Sequence, residues 1–153
     1  MRLLQDFVSS LYFSKLRVSS FIIAPPSTGK SFTLRSILQG AKGVEFVTKI
    51  TEAGLRNLLE TKSYIHTIVF SDATNSFSQR REYSVWNAML EATEEGVSTI
   101  WLGNEDFQIH RRVSFFIAMT GDDFVNFCKK IDKYINVDAL LSRFLIFRYT
   151  VSQ

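Results

Sequence analysis

The stretch from Phe21 to Leu34 restricts the fold of this chain more than any other. An apolar run, Val18 to Ile23, reads as a buried strand. It passes through Ala24-Pro25-Pro26-Ser27-Thr28-Gly29 into Lys30 to Leu38, where the pattern turns helical, with Gly40 as a plausible stop. A strand feeding a helix through a short loop is the repeating unit of an α/β fold. The rest of the chain continues the alternation, which predicts a mostly parallel sheet with helices on both faces.

The further elements follow from the same periodicities. Val44 to Ile50 reads as a second strand, and Thr51 caps a helix carrying Leu55, Leu58 and Leu59. Ile65 to Phe70 is a third strand, and Tyr83 to Glu95 a helix with Val85, Met89 and Ala92 at core spacing. Thr99 to Leu102 and Phe107 to Arg111 flank Gly103-Asn104-Glu105-Asp106, the pattern of a β-hairpin. Phe115 to Met119 is another buried strand. Asp122 or Asp123 is expected to cap a helix with Phe124, Phe127, Cys128, Ile131 and Ile135 on one face. A short helix over 138–142 leads to a last strand, Leu145 to Val151, and residues 1–17 form an N-terminal helix. The chain of 153 residues is the size of one domain, and no internal repeat divides it.

In such sheets ligands bind beyond the carboxyl ends of the strands, which is where Ala24 to Ser31 falls. The phosphate-loop pattern is G-x-x-x-x-G-K-[ST]. Here Ala24 stands in place of the first glycine, and Gly29, Lys30 and Ser31 fill the other required positions. Successive backbone N–H groups can wrap a phosphate chain at a helix N-terminus, where the helix dipole also favours an anion. Gly29 allows close backbone approach, Lys30 neutralises the β- and γ-phosphates, and Ser31 offers a hydroxyl to Mg²⁺. Pro26, Ser27, Thr28, Gly29, Lys30, Ser31 and Phe32 are the expected nucleotide contacts. The plainer alternative is a chance Gly-Lys-Ser in a loop.

A matching acid closes the third strand. Ile65-His66-Thr67-Ile68-Val69-Phe70-Ser71-Asp72 is an apolar run ending in a carboxylate that can hold Mg²⁺, the role of a Walker B aspartate. The alternative is an aspartate capping the next helix. Ala73 follows Asp72; in the AAA+ ATPases, which later segments of the chain resemble, a glutamate at that position often activates water, and this supports binding over hydrolysis. Asn75 and Glu82 are the remaining polar candidates nearby.

Composition sets bounds. A single cysteine, Cys128, excludes a disulfide framework and a cysteine-based metal site within one chain. No apolar run approaches a membrane span, and a reducing, cytoplasmic setting is expected. The net charge of +3 permits nucleic-acid contact without arguing for it.

The second half resembles one branch of the AAA+ ATPases, the one that includes minichromosome maintenance helicases, MoxR-type ATPases and bacterial enhancer-binding activators. The resemblance runs through Met89-Leu90-Glu91-Ala92-Thr93-Glu94-Glu95-Gly96-Val97-Ser98-Thr99-Ile100, the hairpin, the strand Val113 to Thr120, and Leu140-Leu141-Ser142-Arg143-Phe144-Leu145-Ile146-Phe147. It covers residues 18–151. It implies a three-layer P-loop NTPase core with a five-stranded sheet plus a β-hairpin insertion over 98–112. It also implies bound ATP and Mg²⁺, and a homo-oligomeric ring in which Arg143 is an arginine finger acting in trans on a neighbour's γ-phosphate. Thr120 stands where members often carry the sensor asparagine, and no counterpart of the helical lid is read within these residues. The bland alternative for Arg143 is a cation at a helix C-terminus. His110, Arg111 and Arg112 on the returning hairpin strand are the residues that could face DNA, the plainer alternative being a solvated polar edge.

Three functions follow from this reading. The first is an ATPase motor or switch acting on DNA or a protein partner in replication or remodelling, in a reduced member of the group such as a virus or mobile element would encode. The second is a nucleotide-binding scaffold with little hydrolysis. The third, a small-molecule kinase, needs an arginine-bearing lid that no segment supplies.

Overall fold

The computed structural model describes residues 2–14, 17–73, 98–102, 105–109, 112–134 and 136–150. The helix expected over Tyr83 to Glu95 lies outside them, as do Asn75, Glu82, His110 and Arg111. In chain order the described elements are α1 (Arg2–Phe13), β1 (Ser19–Ile23), α2 (Lys30–Leu38), β2 (Val44–Phe46), α3 (Glu52–Thr61), β3 (Thr67–Phe70), β4 (Ser98–Leu102), β5 (Glu105–Ile109), β6 (Ser114–Met119), α4 (Gly121–Ile131), α5 (Val137–Ser142) and β7 (Phe144–Arg148).

Five strands form one sheet in the order β2-β3-β6-β1-β7, and every pairing in it is parallel. The three central strands are buried along their whole length, as parallel strands covered on both faces must be. Their side chains alternate between two cores. Ile22, Val69, Phe116 and Ala118 face α1 and α2, packing with Leu4, Val8, Leu34 and Leu38. Phe21, Ile68, Phe70, Phe115, Ile117 and Met119 face α3, α4 and α5, packing with Leu55, Leu59, Phe127, Ile131 and Leu140. Parallel crossovers are right-handed. The step from β1 to β2 runs toward one edge of the sheet, while those from β2 to β3 and from β6 to β7 run the other way. Helix α2 therefore lies on one face, and α3, α4 and α5 lie on the other.

Several boundaries differ from those read in the sequence. β2 ends at Phe46, not Ile50. Val47 still donates to the Val69 carbonyl at 2.8 Å, and the chain then turns to reach Thr51, whose hydroxyl accepts from the Gly54 N–H at 3.1 Å as the N-cap of α3. Helix α4 is capped by Thr120, not by Asp122 or Asp123. Thr120 is extended, its hydroxyl accepts from the Asp123 N–H at 3.2 Å, and it donates to the Asp123 carboxylate at 2.6 Å. The two aspartates sit in the first turn, where they complement the helix dipole. Asn136 caps α5, which begins at Val137. β7 spans Phe144–Arg148 rather than reaching Val151. In the hairpin, Leu102 pairs with Glu105 and Trp101 with Asp106. Glu105 and Asp106 thus begin the returning strand and do not form the tip.

The N-terminal helix is anchored to the rim of β2 and β3. Tyr12 donates to the Lys42 carbonyl at 3.1 Å and packs its ring on His66, whose Nδ1 lies 2.8 Å from the Thr67 hydroxyl. Gly43 has φ +78, and a methyl group there would overlap the His66 ring. Gly43→Ala combines left-handed backbone strain with overpacking and should cost about 2–4 kcal/mol, read as a fall in the thermal midpoint. Burial, and secondly the charge of Arg17, holds the His66 pKa below its ordinary 6.5. The unfolded chain therefore takes up this proton first. Stability should decline as pH falls from 6.5 toward the depressed folded value and be insensitive to this group above 6.5. A His66→Gln variant should show a flatter dependence of melting temperature on pH in that window.

Candidate functional site

The carboxyl ends of β1, β3 and β6 meet at one edge of the sheet. Between β1 and β6 the outgoing connections diverge, α2 toward one side and α4 toward the other, so the crevice expected at such a switch point opens there. Ala24, Pro25 and Pro26, at the start of the loop that runs to Gly29, line it.

The loop's conformation follows from two residues with positive φ, Ser27 at 60° and Gly29 at 80°. Gly29 is the N-cap of α2, and a Cβ there would meet nothing within 4 Å. Glycine is required by backbone conformation and not by space. Ala24 needs no such freedom. It is buried and continues β1, its N–H donating to the Met119 carbonyl of β6 at 3.2 Å. Thr28 donates to the Pro25 carbonyl at 2.8 Å and closes the loop on itself.

Lys30 opens α2 with only 9% of its surface exposed. Its ammonium turns back under the loop toward the Pro25 carbonyl, 3.5 Å away. A lysine this buried at the start of a helix, with one long contact among the described residues, suits a multiply charged anion. Ser31 donates its hydroxyl proton to the Ser71 carbonyl at 2.6 Å. The proton is used in that bond, and the oxygen's lone pairs remain available to a cation. Phe32 is the outward residue of the first turn, 77% exposed.

Asp72 follows Ser71 directly. It is exposed, and the contact between Ser31 and Ser71 places it one residue from the loop. Ala73 is buried and donates its N–H to the Ala118 carbonyl at 2.9 Å. Among the described residues no three His, Cys, Asp or Glu gather as a metal cage. A Mg²⁺ held mostly by phosphate oxygens and water needs only one or two protein ligands, and Ser31 with Asp72 fit that demand.

Thr120 directly follows β6, level with Ala24 at the same edge, with its hydroxyl engaged in capping α4. Arg143 is placed elsewhere. It is the C-cap of α5 and precedes β7, whose Phe144 is level with Ser19 at the start of β1. At ~3.3 Å per residue Arg143 lies on the order of 20 Å from Ala24, at the opposite end of the sheet. The structure thus gathers Pro26 to Phe32, Asp72 and Thr120 at one edge and sets Arg143 apart.

Two features escaped the sequence reading. Arg35 donates to the Ser71 hydroxyl at 3.4 Å and lies over the Phe46 ring at 5.4 Å; its spacing of four from Ser31 marks the shared helix face. A cleft of ≈ 220 Å³ opens beside the loop, with walls from Pro25 and Pro26, from Thr120 and Asp122, and from Arg148 and Tyr149. Nothing in the spacing of Arg148 and Tyr149 marks them, because only the pairing of β7 with β1 brings them to this edge. Among the described residues no helix is long and apolar enough to cross a membrane.

No known protein-family model matches the chain, and no curated protein is significantly similar to it in sequence.

Proposed function

We propose that this chain is a P-loop nucleotide-binding domain of the AAA+ type that holds ATP with Mg²⁺ and works as an ATPase motor or switch. The observation that carries the reading is the joint geometry of loop and strand. Gly29 is left-handed, Lys30 is buried beneath the loop, and Ser31 is bonded to the residue before Asp72. The order of the parallel strands supports it, because β6 between β1 and β3 brings Thr120 to the edge that Lys30 and Asp72 share.

In this reading the loop amides and the α2 N-terminus orient the phosphate chain, and Lys30 offsets the charge on its β- and γ-oxygens. Ser31 and Asp72 would hold Mg²⁺, which supplies further neutralisation of the phosphate oxygens. Arg143 is out of reach of the loop in its own chain, so a role at the γ-phosphate requires a second copy and hence a ring or filament. DNA and a protein are the candidate partners for the mechanical output.

A second reading, a scaffold that binds ATP and turns it over slowly, is favoured by Ala73. The residue after Asp72 is an apolar, buried side chain with nothing to orient water. Titration with ATP beside a turnover assay separates the two. The ATPase reading expects Arg143→Ala to leave the dissociation constant within about twofold and to lower turnover by roughly 10³-fold, the scale of an arginine finger. Turnover unchanged in that variant would remove Arg143 from the mechanism. Binding without turnover in the wild-type chain would favour the scaffold.

A further inference from the structure

The Asp72 carboxylate is exposed, yet the backbone on both sides of it is held. On its far side Ala73 is bonded to Ala118 of β6 at 2.9 Å. On its near side Ser71 is 7% exposed and is contacted by two residues of one face of α2, Ser31 and the exposed Arg35. Ser31 donates to its carbonyl at 2.6 Å, and Arg35, one turn further along, donates to its hydroxyl at 3.4 Å. The Arg35 guanidinium is itself steadied over the Phe46 ring of β2. A planar guanidinium resting on an aromatic face keeps its donors in a fixed direction. The phosphate loop and the acid-bearing strand end are therefore joined through Ser71 by two consecutive turns of the helix that the loop initiates.

We infer that Arg35 is a positioning residue for the metal-binding carboxylate: through Ser71 it fixes where Asp72 stands relative to Ser31. The inference rests on the nucleotide reading above and adds a residue to it. Arg35 itself contacts Ser71 and Phe46 and acts on the metal through Asp72. If Arg35 instead served as a cation for the phosphates, its loss would weaken ATP binding whether or not metal is present. If it only packed, its loss would lower the melting temperature and leave the metal dependence alone.

The test is titration of the full chain with ATP, once with excess Mg²⁺ and once with EDTA. The variants are Arg35→Ala, Ser71→Ala, and Arg35→Ala combined with Asp72→Asn, with thermal unfolding recorded for each. The expected result is that Arg35→Ala loses roughly 3- to 10-fold of the affinity that Mg²⁺ adds, a typical coupling between neighbouring groups. Affinity in EDTA stays within about twofold. Ser71→Ala, which removes the acceptor and no charge, reproduces the loss and carries the test if Arg35→Ala folds poorly. In the Asp72→Asn background Arg35→Ala has no further effect on the Mg²⁺ gain. Equal loss with and without metal, or a full Mg²⁺ gain in Ser71→Ala, overturns the positioning role while leaving the nucleotide reading intact. A wild-type chain whose ATP affinity does not respond to Mg²⁺ overturns the metal assignment and this inference together.

Discussion

Lys30→Ala should weaken ATP binding by about 100-fold or more while leaving the fold in place. Lys30 is buried and, among the described residues, its ammonium has one long contact, to the Pro25 carbonyl at 3.5 Å. Its removal therefore costs the free protein little. In the nucleotide-bound state the same group would make charge-assisted hydrogen bonds worth about 1.5–3 kcal/mol each, and about 1.4 kcal/mol corresponds to a tenfold change in affinity. Two such bonds account for the loss. Lys30→Arg should also bind poorly, because a planar guanidinium is larger than the compact ammonium the loop encloses. Calorimetric titration with ATP, with melting temperatures recorded alongside, measures both parts. Affinity unchanged in Lys30→Ala would mean that this loop does not bind phosphates, and the proposed function would fall with it.

The largest stability effect is expected for Phe21→Ala. Phe21 lies in the second-from-edge strand β1 and is fully buried, with ring centroids 5.3 Å from Phe124, 5.9 Å from Phe127 and 4.6 Å from Phe144. It joins β1, α4 and β7 in one aromatic cluster. Deleting such a ring leaves a cavity that rigid neighbours on three sides cannot collapse into, at a cost of about 3–5 kcal/mol. A domain of this size holds only about 5–15 kcal/mol in total, and the thermal midpoint should fall by roughly 10 °C or more. Phe32→Ala is the internal control. Its ring is on the surface of α2, and its removal should move stability by no more than about 0.5 kcal/mol. If the two variants melted alike, the burial assigned to Phe21 would be wrong.

The strand–loop–helix unit around Gly29 was legible because its requirements are local. Gly29 needs a left-handed backbone, Lys30 and Ser31 must be the first residues of a helix, and a strand must precede them; all three are written within one short run. Strand and helix types were legible for the same reason, since their periodicities repeat within a few residues. Caps were harder. Thr120, Asp122 and Asp123 are all competent N-cap residues, and the choice of Thr120 depends on where β6 releases the chain. The turn of the hairpin shifted because pairing register, not composition, decides which residues are left between the strands.

The amino-acid sequence by itself determined that a strand, a short loop and a helix follow one another around Gly29, and that a second apolar strand leads into Asp72. Such signals need only neighbours along the chain. Only the tertiary structure decided that β6 inserts between β1 and β3, that Ser31 and Arg35 both hold Ser71, and that Arg143 stands at the far end of the sheet. These depend on which strands lie side by side. Strand order is set by packing two cores against opposite faces of one sheet, a condition on the whole chain that no single segment carries.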